Sequence, residues 1–246
     1  MIVHIFGDSL SLPRLSDGIP FHLTYPELFK GELSMKYPNL NLHLFNWSHG
    51  GANITSTLDE FLLRNDYFSQ DAKNIFILQI GIVDCAPRPL PKLLRGFVGV
   101  LPDVLQKPIV RFIHNNRARI QKAGFVYHKT PPALFETVLN ELMERIKKLD
   151  RIYVFNIAPT NKKTEKHSPG FTRSVMQYNE IIKSVIQRHS SPNIFLIDVF
   201  NNINNPSRIS QYINKEDGHH ITVEGHELYT KLLLENEKLF PIDSIF

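Results

Sequence analysis

The sequence predicts an α/β fold, a single three-layer α/β/α domain with a mostly parallel sheet of about five strands. Short apolar runs rich in β-branched residues alternate along the chain with longer segments of helical periodicity. The short runs are almost entirely apolar, as in strands that are covered on both faces. This alternation is typical of a parallel sheet with helices on both sides. A chain of 246 residues, 42% of them hydrophobic, is long enough to bury such a core.

The predicted strands are five to seven residues long, and they cover residues 2–6, 42–46, 74–80, 151–157 and 193–198. The predicted helices between and after them cover residues 25–36, 54–64, 132–148, 169–188 and 224–239. The fourth of these helices has apolar side chains at Phe171, Val175, Tyr178, Ile182 and Val185, the spacing of one helical face. We find no internal repeat and no linker, so we expect one domain over residues 1–246.

Residues 87–130 interrupt the alternation, and we call them the basic insertion. Between Cys85 and Thr130 the chain has nine Lys or Arg residues and a single acid, Asp103, whereas the whole chain has a net charge of +4. A helix is predicted over residues 108–123. Local basic character of this kind is typical of contact with something anionic, although a solvated helical face is the simpler explanation.

The sequence also limits where the protein works. No run approaches the roughly 18 consecutive apolar residues of a membrane span. The first residues lack the pattern of a signal peptide, and the single cysteine, Cys85, excludes an internal disulfide. We expect a cytoplasmic protein, with a peripheral position at the inner membrane surface as a variant of that location.

The first strand ends in Gly7-Asp8-Ser9. The carboxyl ends of strands in such sheets open onto a crevice that carries the chemistry. Ser9 is expected at the start of a helical turn, where its N–H and the helix dipole could stabilise an anion. A serine is a candidate nucleophile only if a base and a group that orients the base accompany it.

A candidate base lies near the other end of the chain. Asp217 precedes His220 by three residues in a glycine-containing loop, and Thr222 is the predicted N-cap of the last helix. A carboxylate at this spacing can accept the imidazole Nδ1–H and leave Nε2 free for a serine proton. A simple capped helix start is the alternative. A metal site from Asp217, His219, His220 and His226 is disfavoured, because no spacing such as His-Glu-x-x-His is present.

Together, the Gly-Asp-Ser after the first strand and the Asp-x-x-His before the last helix resemble the SGNH (GDSL) hydrolase family. The resemblance extends over the whole chain in order. Its second block has a glycine after the second strand, for which Gly51 is the best match. Its third block, Gly-x-Asn-Asp, is here Gly81-Ile82-Val83-Asp84. The resemblance implies the SGNH hydrolase fold, with a flavodoxin-like sheet.

The resemblance also implies residue roles. Ser9 would be the nucleophile, His220 the general base and Asp217 the residue that orients it. The backbone N–H groups of Ser9 and Gly51 would donate hydrogen bonds to the oxyanion, in a site that also includes Asp84. No metal and no cofactor is expected.

One departure from the family pattern concerns the oxyanion. Val83 stands where the family has an asparagine donor, and loss of one such donor typically costs about 10²–10³ in rate. Asn53, Cys85 and Arg88 are candidates for replacing it. A guanidinium would be a stronger donor than an amide, but a solvated or phosphate-facing Arg88 is the simpler interpretation.

Motifs for other chemistry are missing. The sequence has no Gly-x-Ser-x-Gly elbow, and it has neither a Gly-x-Gly-x-x-Gly nor a Walker loop. The expected partner is a small-molecule or glycan ester. The basic residues within 88–129 could contact an anionic ligand or a membrane surface, and nucleic acid is not expected because no recognition module is present. The sequence leaves the oligomeric state open.

Three functions follow from these observations. The first is a serine esterase that removes an O-acyl group, most plausibly acetyl, from a carbohydrate or glycan precursor through an acyl-enzyme. The second is an O-acyltransferase that uses the same site on a surface-polysaccharide sugar. The third is a degraded binding protein that kept the fold, for which Val83 is the best support.

Overall fold

The structure is a computed structural model, and it describes residues 1–68 and 71–239; the predicted domain end, residues 240–246, lies outside them. Five parallel strands form one sheet in the order β2-β1-β3-β4-β5. The strands are β1 (Ile2–Gly7), β2 (His43–Asn46), β3 (Asn74–Gln79), β4 (Arg151–Phe155) and β5 (Ile194–Ile197). This flavodoxin-like order confirms the predicted fold class, and the sheet is parallel throughout rather than mostly parallel.

The order of the strands places a crevice at the carboxyl end of β1. Strand β1 pairs with β2 on one side and β3 on the other, and its register with β3 runs from Ile2 opposite Asn74 to Gly7 opposite Gln79. The chain leaves β1 and β3 in opposite directions across the sheet, which opens a crevice between the two turns. The segment after Gly7 and the segment after Gln79 therefore meet at one place.

Eleven α-helices occur in the described part of the chain. They are α1 (Tyr25–Lys36), α2 (Ile54–Leu63), α3 (Ile82–Cys85), α4 (Lys92–Gly99), α5 (Asp103–Lys122), α6 (Pro132–Ile146), α7 (Lys162–His167), α8 (Phe171–His189), α9 (Val199–Ile203), α10 (Pro206–Tyr212) and α11 (Val223–Leu239). The five predicted helices outside the basic insertion are confirmed as α1, α2, α6, α8 and α11. The Thr222 hydroxyl accepts a hydrogen bond from Gly225 N at 3.1 Å, as expected of an N-cap.

The helices form two layers around the sheet. Helix α1 packs against α11, whereas α6 packs against both α2 and α8. Right-handed crossovers put these two groups on opposite faces of a parallel sheet. Every residue of β3 and β4 is buried between them, and the edge strand β2 is partly exposed. The apolar strand composition that predicted the fold therefore reflects burial on both faces.

The basic insertion consists mainly of α4 and α5. Arg88 and Tyr127 close its base, because each backbone N–H donates to the other residue's carbonyl, at 2.7 and 2.9 Å. The predicted helix over residues 108–123 begins earlier, at Asp103, and keeps Pro108 inside it. Proline there removes one early hydrogen bond, and the helix continues because the surrounding turns retain theirs.

The outer surface of α4 and α5 exposes large apolar side chains. Leu93 is 87% exposed and Val104 is 82% exposed. Further exposed apolar side chains are Leu94, Phe97, Val100, Leu105 and Phe112. No helix among the described residues combines the length and apolar character that crossing a membrane requires.

Candidate active site

Ser9 lies two residues beyond the end of β1. The Asp8 side chain accepts a hydrogen bond from Leu10 N at 2.9 Å and thereby caps the short 3₁₀ turn Ser9–Ser11. The turn is too short to carry the helix dipole that the sequence suggested, because that dipole needs several aligned peptide units. Asp8 is fully buried, and burial raises the pKa of its carboxyl to about 7.

The Ser9 hydroxyl meets the imidazole of His220 across 211 residues of sequence. Ser9 Oγ lies 2.8 Å from His220 Nε2. On the other side of the ring, His220 Nδ1 lies 2.8 Å from Asp217 Oδ2. Because the carboxylate can only accept a hydrogen bond, it favours the tautomer with the proton on Nδ1. Nε2 is then free to accept the proton of the serine.

A glycine shapes the loop that carries the carboxylate. Gly218 has φ of +72°, and a Cβ there would overlap the side chains of Thr164 and Asn161. The Thr164 hydroxyl also donates to the Asp217 carbonyl at 2.9 Å. The Asp217 carboxylate accepts from the backbone N–H groups of His219 and His220, at 3.1 and 3.0 Å. Partial burial alone would raise the pKa of Asp217, but these hydrogen bonds and that of the His220 ring hold it well below its usual range.

Arg14 is a part of the site that sequence reasoning missed. Its guanidinium lies 3.2 Å from Asp217 Oδ2, the oxygen that also faces His220. Its Nε donates to Asp17 at 2.8 Å, which fixes the direction of the side chain. No motif marks this arginine in the sequence, since its contact depends on how the segment after Ser9 folds back on the C-terminal loop.

The glycine of the second block lies at the rim of the same site. Gly51 has φ of +75°, and the Lys129 ammonium donates a hydrogen bond to the Gly51 carbonyl at 2.8 Å. Among the described residues, the backbone N–H groups of Ser9 and Gly51 have no hydrogen-bond acceptor. Both residues line the cavity that contains the serine hydroxyl, where an oxyanion hole would need two such donors. Val83 lines the cavity next to them.

Asn53 and Asp84 lie behind the cavity wall. The Asn53 amide nitrogen donates to the Thr130 hydroxyl at 3.0 Å, and the residue caps α2. Both carboxylate oxygens of Asp84 accept from Ile54 N, at 3.1 and 3.3 Å. Burial raises the pKa of Asp84 to about 6. In this structure, the two side chains hold the start of α2, which follows Gly51, in place.

Cys85 is also buried, and its thiol contacts the carbonyl of Ile82 at 3.7 Å. Burial raises the pKa of this thiol well above its usual value. Arg88, the remaining candidate that the sequence offered, faces the cavity itself. Of the three side chains considered as replacements for the asparagine donor, only Arg88 lines the cavity that contains Ser9.

The cavity has a volume of about 460 Å³, within the range of small-molecule sites. Ser9, Gly51 and Asp217 line one part of it. Apolar side chains of Ile82, Val83, Ala86, Pro89 and Phe171 line another. The polar lining also includes three arginines, Arg88, Arg95 and Arg117, together with Thr164, His167, Ser168 and His219. The cavity therefore offers apolar side chains to an uncharged acyl group and arginine side chains to an anionic group.

Asp217, His219 and His220 also bring three potential metal-ligand atoms within 4.8 Å of one another. A metal ion there would compete with the Asp217–His220 hydrogen bond and with the contact between His220 and Ser9. His226, the fourth residue considered, accepts a hydrogen bond from Tyr25 N at 3.1 Å, and burial lowers its pKa to about 4. That histidine holds α11 against α1.

Comparison with known proteins defines the family. The sequence matches the family described as GDSL-like Lipase/Acylhydrolase over residues 3–233, nearly its whole length. The chain therefore belongs to the GDSL-like lipase/acylhydrolase family, and it is an ester hydrolase of the SGNH type. The resemblance noted from the sequence blocks is thereby confirmed. No curated protein matches the sequence.

Several solved structures have a similar fold. A lipase/acylhydrolase from Enterococcus faecalis has a TM-score of 0.64 at 14% identity, covering 96% of this chain and 95% of its own. A lipolytic G-D-S-L family member from Veillonella parvula has a TM-score of 0.62 at 14% identity, with 95% and 96% covered. The acetylxylan esterase Axe2 from Geobacillus stearothermophilus has a TM-score of 0.58 at 17% identity, with 95% and 92% covered.

Proposed function

We propose that this protein is a serine esterase that works through an acyl-enzyme and removes an O-acyl (acetyl) group from a carbohydrate or glycan precursor. The observation that carries the proposal is the hydrogen-bonded chain from Ser9 through His220 to Asp217, with 2.8 Å at each step. This chain opens into a cavity that is large enough for a small ester.

In the first half of the reaction, Ser9 Oγ attacks the ester carbonyl while His220 Nε2 takes the hydroxyl proton. Asp217 stabilises the imidazolium that forms. The N–H groups of Ser9 and Gly51 donate to the oxyanion of the tetrahedral intermediate. The intermediate collapses when the C–O bond to the sugar breaks, and the His220 proton goes to the departing sugar oxygen. The acyl group is then bonded to Ser9.

In the second half, water replaces the sugar. His220 Nε2 removes a proton from the water as its oxygen attacks the acyl carbonyl. Breakdown of the second tetrahedral intermediate returns the proton to Ser9 Oγ and releases the carboxylic acid. A second sugar hydroxyl in place of this water would make the same site an O-acyltransferase, which is the alternative function.

The carbohydrate assignment is supported by the size of the cavity and by the similar fold of Axe2, which is an acetylxylan esterase. Val83 supports the other alternative, a binding protein that kept the fold. The retention of a serine, a histidine and a carboxylate in bonding contact argues against that alternative, because a binding site has no need of this arrangement.

The test is release of acid from acetylated xylo-oligosaccharides and from p-nitrophenyl acetate, with and without an added sugar acceptor. The proposal expects free acetate, and Ser9→Ala as control should release none. Acetyl transfer to the sugar without free acetate would favour the acyltransferase. Binding of acetylated sugar by a folded wild-type protein that releases no acid would contradict both enzyme functions.

We also propose that the protein is cytoplasmic and peripheral at the inner membrane surface, and that the basic insertion contacts this anionic surface. The exposed apolar side chains of α4 and α5 lie on the most basic stretch of the chain, a combination that suits an anionic interface. Co-sedimentation should occur with phosphatidylglycerol vesicles and fail with phosphatidylcholine vesicles. Phe97→Glu should reduce it, and equal sedimentation with both vesicles would contradict the proposal.

A further inference from the structure

We propose that Arg88, Arg95 and Arg117 form a phosphate-binding subsite beside Ser9, and that the ester which Ser9 attacks carries a phosphate group. The inference rests on the proposed esterase function and narrows its substrate class. It starts from the position of the three guanidiniums. They line the same cavity as Ser9, although they come from the base of the basic insertion, from α4 and from α5 respectively.

The three side chains are half-buried, and among the described residues only Arg117 makes side-chain hydrogen bonds. The Nε atom of each is buried and has no hydrogen-bond partner among residues 1–68 and 71–239. Nor does any of the three form an ion pair with a carboxylate in that part of the chain. Because buried charged groups are normally paired and hydrogen-bonded, three such groups in one cavity indicate a site that a ligand completes.

The electrostatics of the cluster are repulsive. Burial lowers the pKa of Arg88, and the charges of Arg95 and Arg117 lower it further. Burial and the charge of Arg88 also lower the pKa of Lys129, which lies beside Gly51. Asp84 is the carboxyl group that opposes these cations, and burial raises its own pKa to about 6. An anionic ligand would relieve this repulsion.

The chemistry of the donors favours phosphate. A guanidinium offers planar pairs of N–H donors that match the oxygens of a phosphate, and three of them can surround a dianion. Arg117 is also held in place, because it donates to the Pro87 carbonyl at 2.5 Å and to the Ser168 hydroxyl at 3.1 Å. A positioned donor of this kind loses little freedom when it binds its ligand.

The ester and the phosphate belong to one molecule, because Ser9 and the three arginines share a single cavity of about 460 Å³. A soluble sugar phosphate and the phosphate of a lipid-linked precursor present the same group. The two sources differ in whether an alkyl chain accompanies the phosphate, and substrates with and without such a chain distinguish them.

The first test measures binding of inorganic phosphate by isothermal titration to Ser9→Ala, which separates binding from catalysis. Arg95→Gln in that background should weaken binding about tenfold or more, since a charge-assisted hydrogen bond is lost. Arg95 makes no side-chain hydrogen bond among the described residues, so this variant should fold; Arg88→Gln is the second variant. Arg119→Gln, on the exposed side of α5, is the matched control and should bind as the parent does.

Absent phosphate binding, or equal binding by the parent, Arg95→Gln and Arg88→Gln, would overturn the subsite. Binding of benzoate as tightly as phosphate would overturn its assignment to phosphate. If the wild-type protein binds phosphate normally but hydrolyses no ester, the phosphate subsite is supported and the proposed esterase function is contradicted.

The second test compares two esters that differ only in the phosphate, 1-acetylglycerol 3-phosphate and 1-acetylglycerol. The wild-type kcat/KM should favour the phosphorylated ester by about tenfold or more, and Arg95→Gln should reduce that ratio while Arg119→Gln keeps it. Faster hydrolysis of the same acetyl ester with an octyl chain on its phosphate, 1-acetylglycerol 3-(octyl phosphate), would assign the phosphate to a lipid, and slower hydrolysis to a soluble ester. A ratio near one in the wild type, with both esters hydrolysed, would overturn the inference.

Discussion

Two regions of the molecule differ in how their charged groups are partnered. One is the carboxyl end of the sheet with Ser9, Asp217 and His220, which we call the rim, and the other is the basic insertion. At the rim, the Asp217 carboxylate accepts hydrogen bonds from a histidine ring, an arginine and two backbone N–H groups. In the basic insertion, Arg88 and Arg95 reach the same cavity with buried nitrogens that have no partner among the described residues. The rim is therefore complete as folded, whereas the wall opposite it is not.

This difference separates two parts of the function. The family fold supplies the Ser9–His220 pair at the end of β1, and we propose that this pair determines the type of reaction. The basic insertion contributes the charged wall, and we expect it to determine which ester enters. Variants at the rim should therefore change the rate with every ester, whereas variants of the wall should change the ratio between esters.

The largest effect is expected for His220→Gln. The glutamine cannot take the Ser9 proton, so kcat/KM should fall about 10⁴-fold or more for every ester, equivalent to roughly 5 kcal/mol or more. The measurement is p-nitrophenyl acetate hydrolysis beside an unfolding curve. A fall of less than tenfold in a folded variant would remove His220 from the reaction.

The next effect is expected for Asp217→Asn. The amide would favour the wrong tautomer of His220, and kcat should fall about 10³-fold with a small change in KM. Arg14→Gln should cost less, because it removes one of several contacts to the same carboxylate. An Arg14→Gln loss as large as that of Asp217→Asn would mean that the arginine, rather than the carboxylate, orients the ring.

Stability should depend on pH through Asp8. The folded-state pKa of about 7 lies above the usual 3.8, so ionisation disfavours the folded protein and stability falls as pH rises from about 4 past 7. The Asp8→Asn substitution should remove this loss of folding free energy, which amounts to up to about 4 kcal/mol at pH 8. Denaturant unfolding at pH 4.5 and pH 8 measures it.

A matched control for that change lies in the basic insertion. Asp103 forms an exposed ion pair with Lys107, and Asp103→Asn should alter stability by less than about 0.5 kcal/mol at either pH. If Asp8→Asn and the wild type lose stability in parallel between the two pH values, burial of Asp8 is not the cause.

A smaller effect, an increase in kcat rather than a decrease, is expected for Val83→Asn. The substitution restores the donor of the family pattern at a residue that lines the cavity, and it should raise kcat on p-nitrophenyl acetate about 10–100-fold. Val83→Thr controls for the polarity of the new side chain. An unchanged or lower kcat for Val83→Asn would contradict the view that a missing oxyanion donor at this position limits the rate.

Most of the fold could be predicted, because burial on both faces leaves a strong signal in each strand. The five strands and the five helices outside the basic insertion begin and end within two residues of their predicted positions. The start of α5 could not be predicted, because helices commonly begin at a proline. Here Pro108 lies inside the helix, which begins at Asp103.

The site was predictable only where a local motif marks it. Ser9, Gly51, Asp217 and His220 lie in short blocks that the sequence displays, and the cavity brings the first three together. Arg14 and Arg95 carry no such mark, since their positions depend on folded loops and on the geometry of two helices. The hydrogen bond from the Asn53 amide to Thr130 could not be predicted either, because the two residues are 77 positions apart in the sequence.

The most direct test of the account is to label the protein with a fluorophosphonate and to locate the adduct by mass spectrometry of the digested chain. The account predicts one adduct, on Ser9, and no adduct in the folded Ser9→Ala variant. An adduct on another residue, or no labelling of a folded wild-type protein, would contradict the claim that Ser9 is the nucleophile.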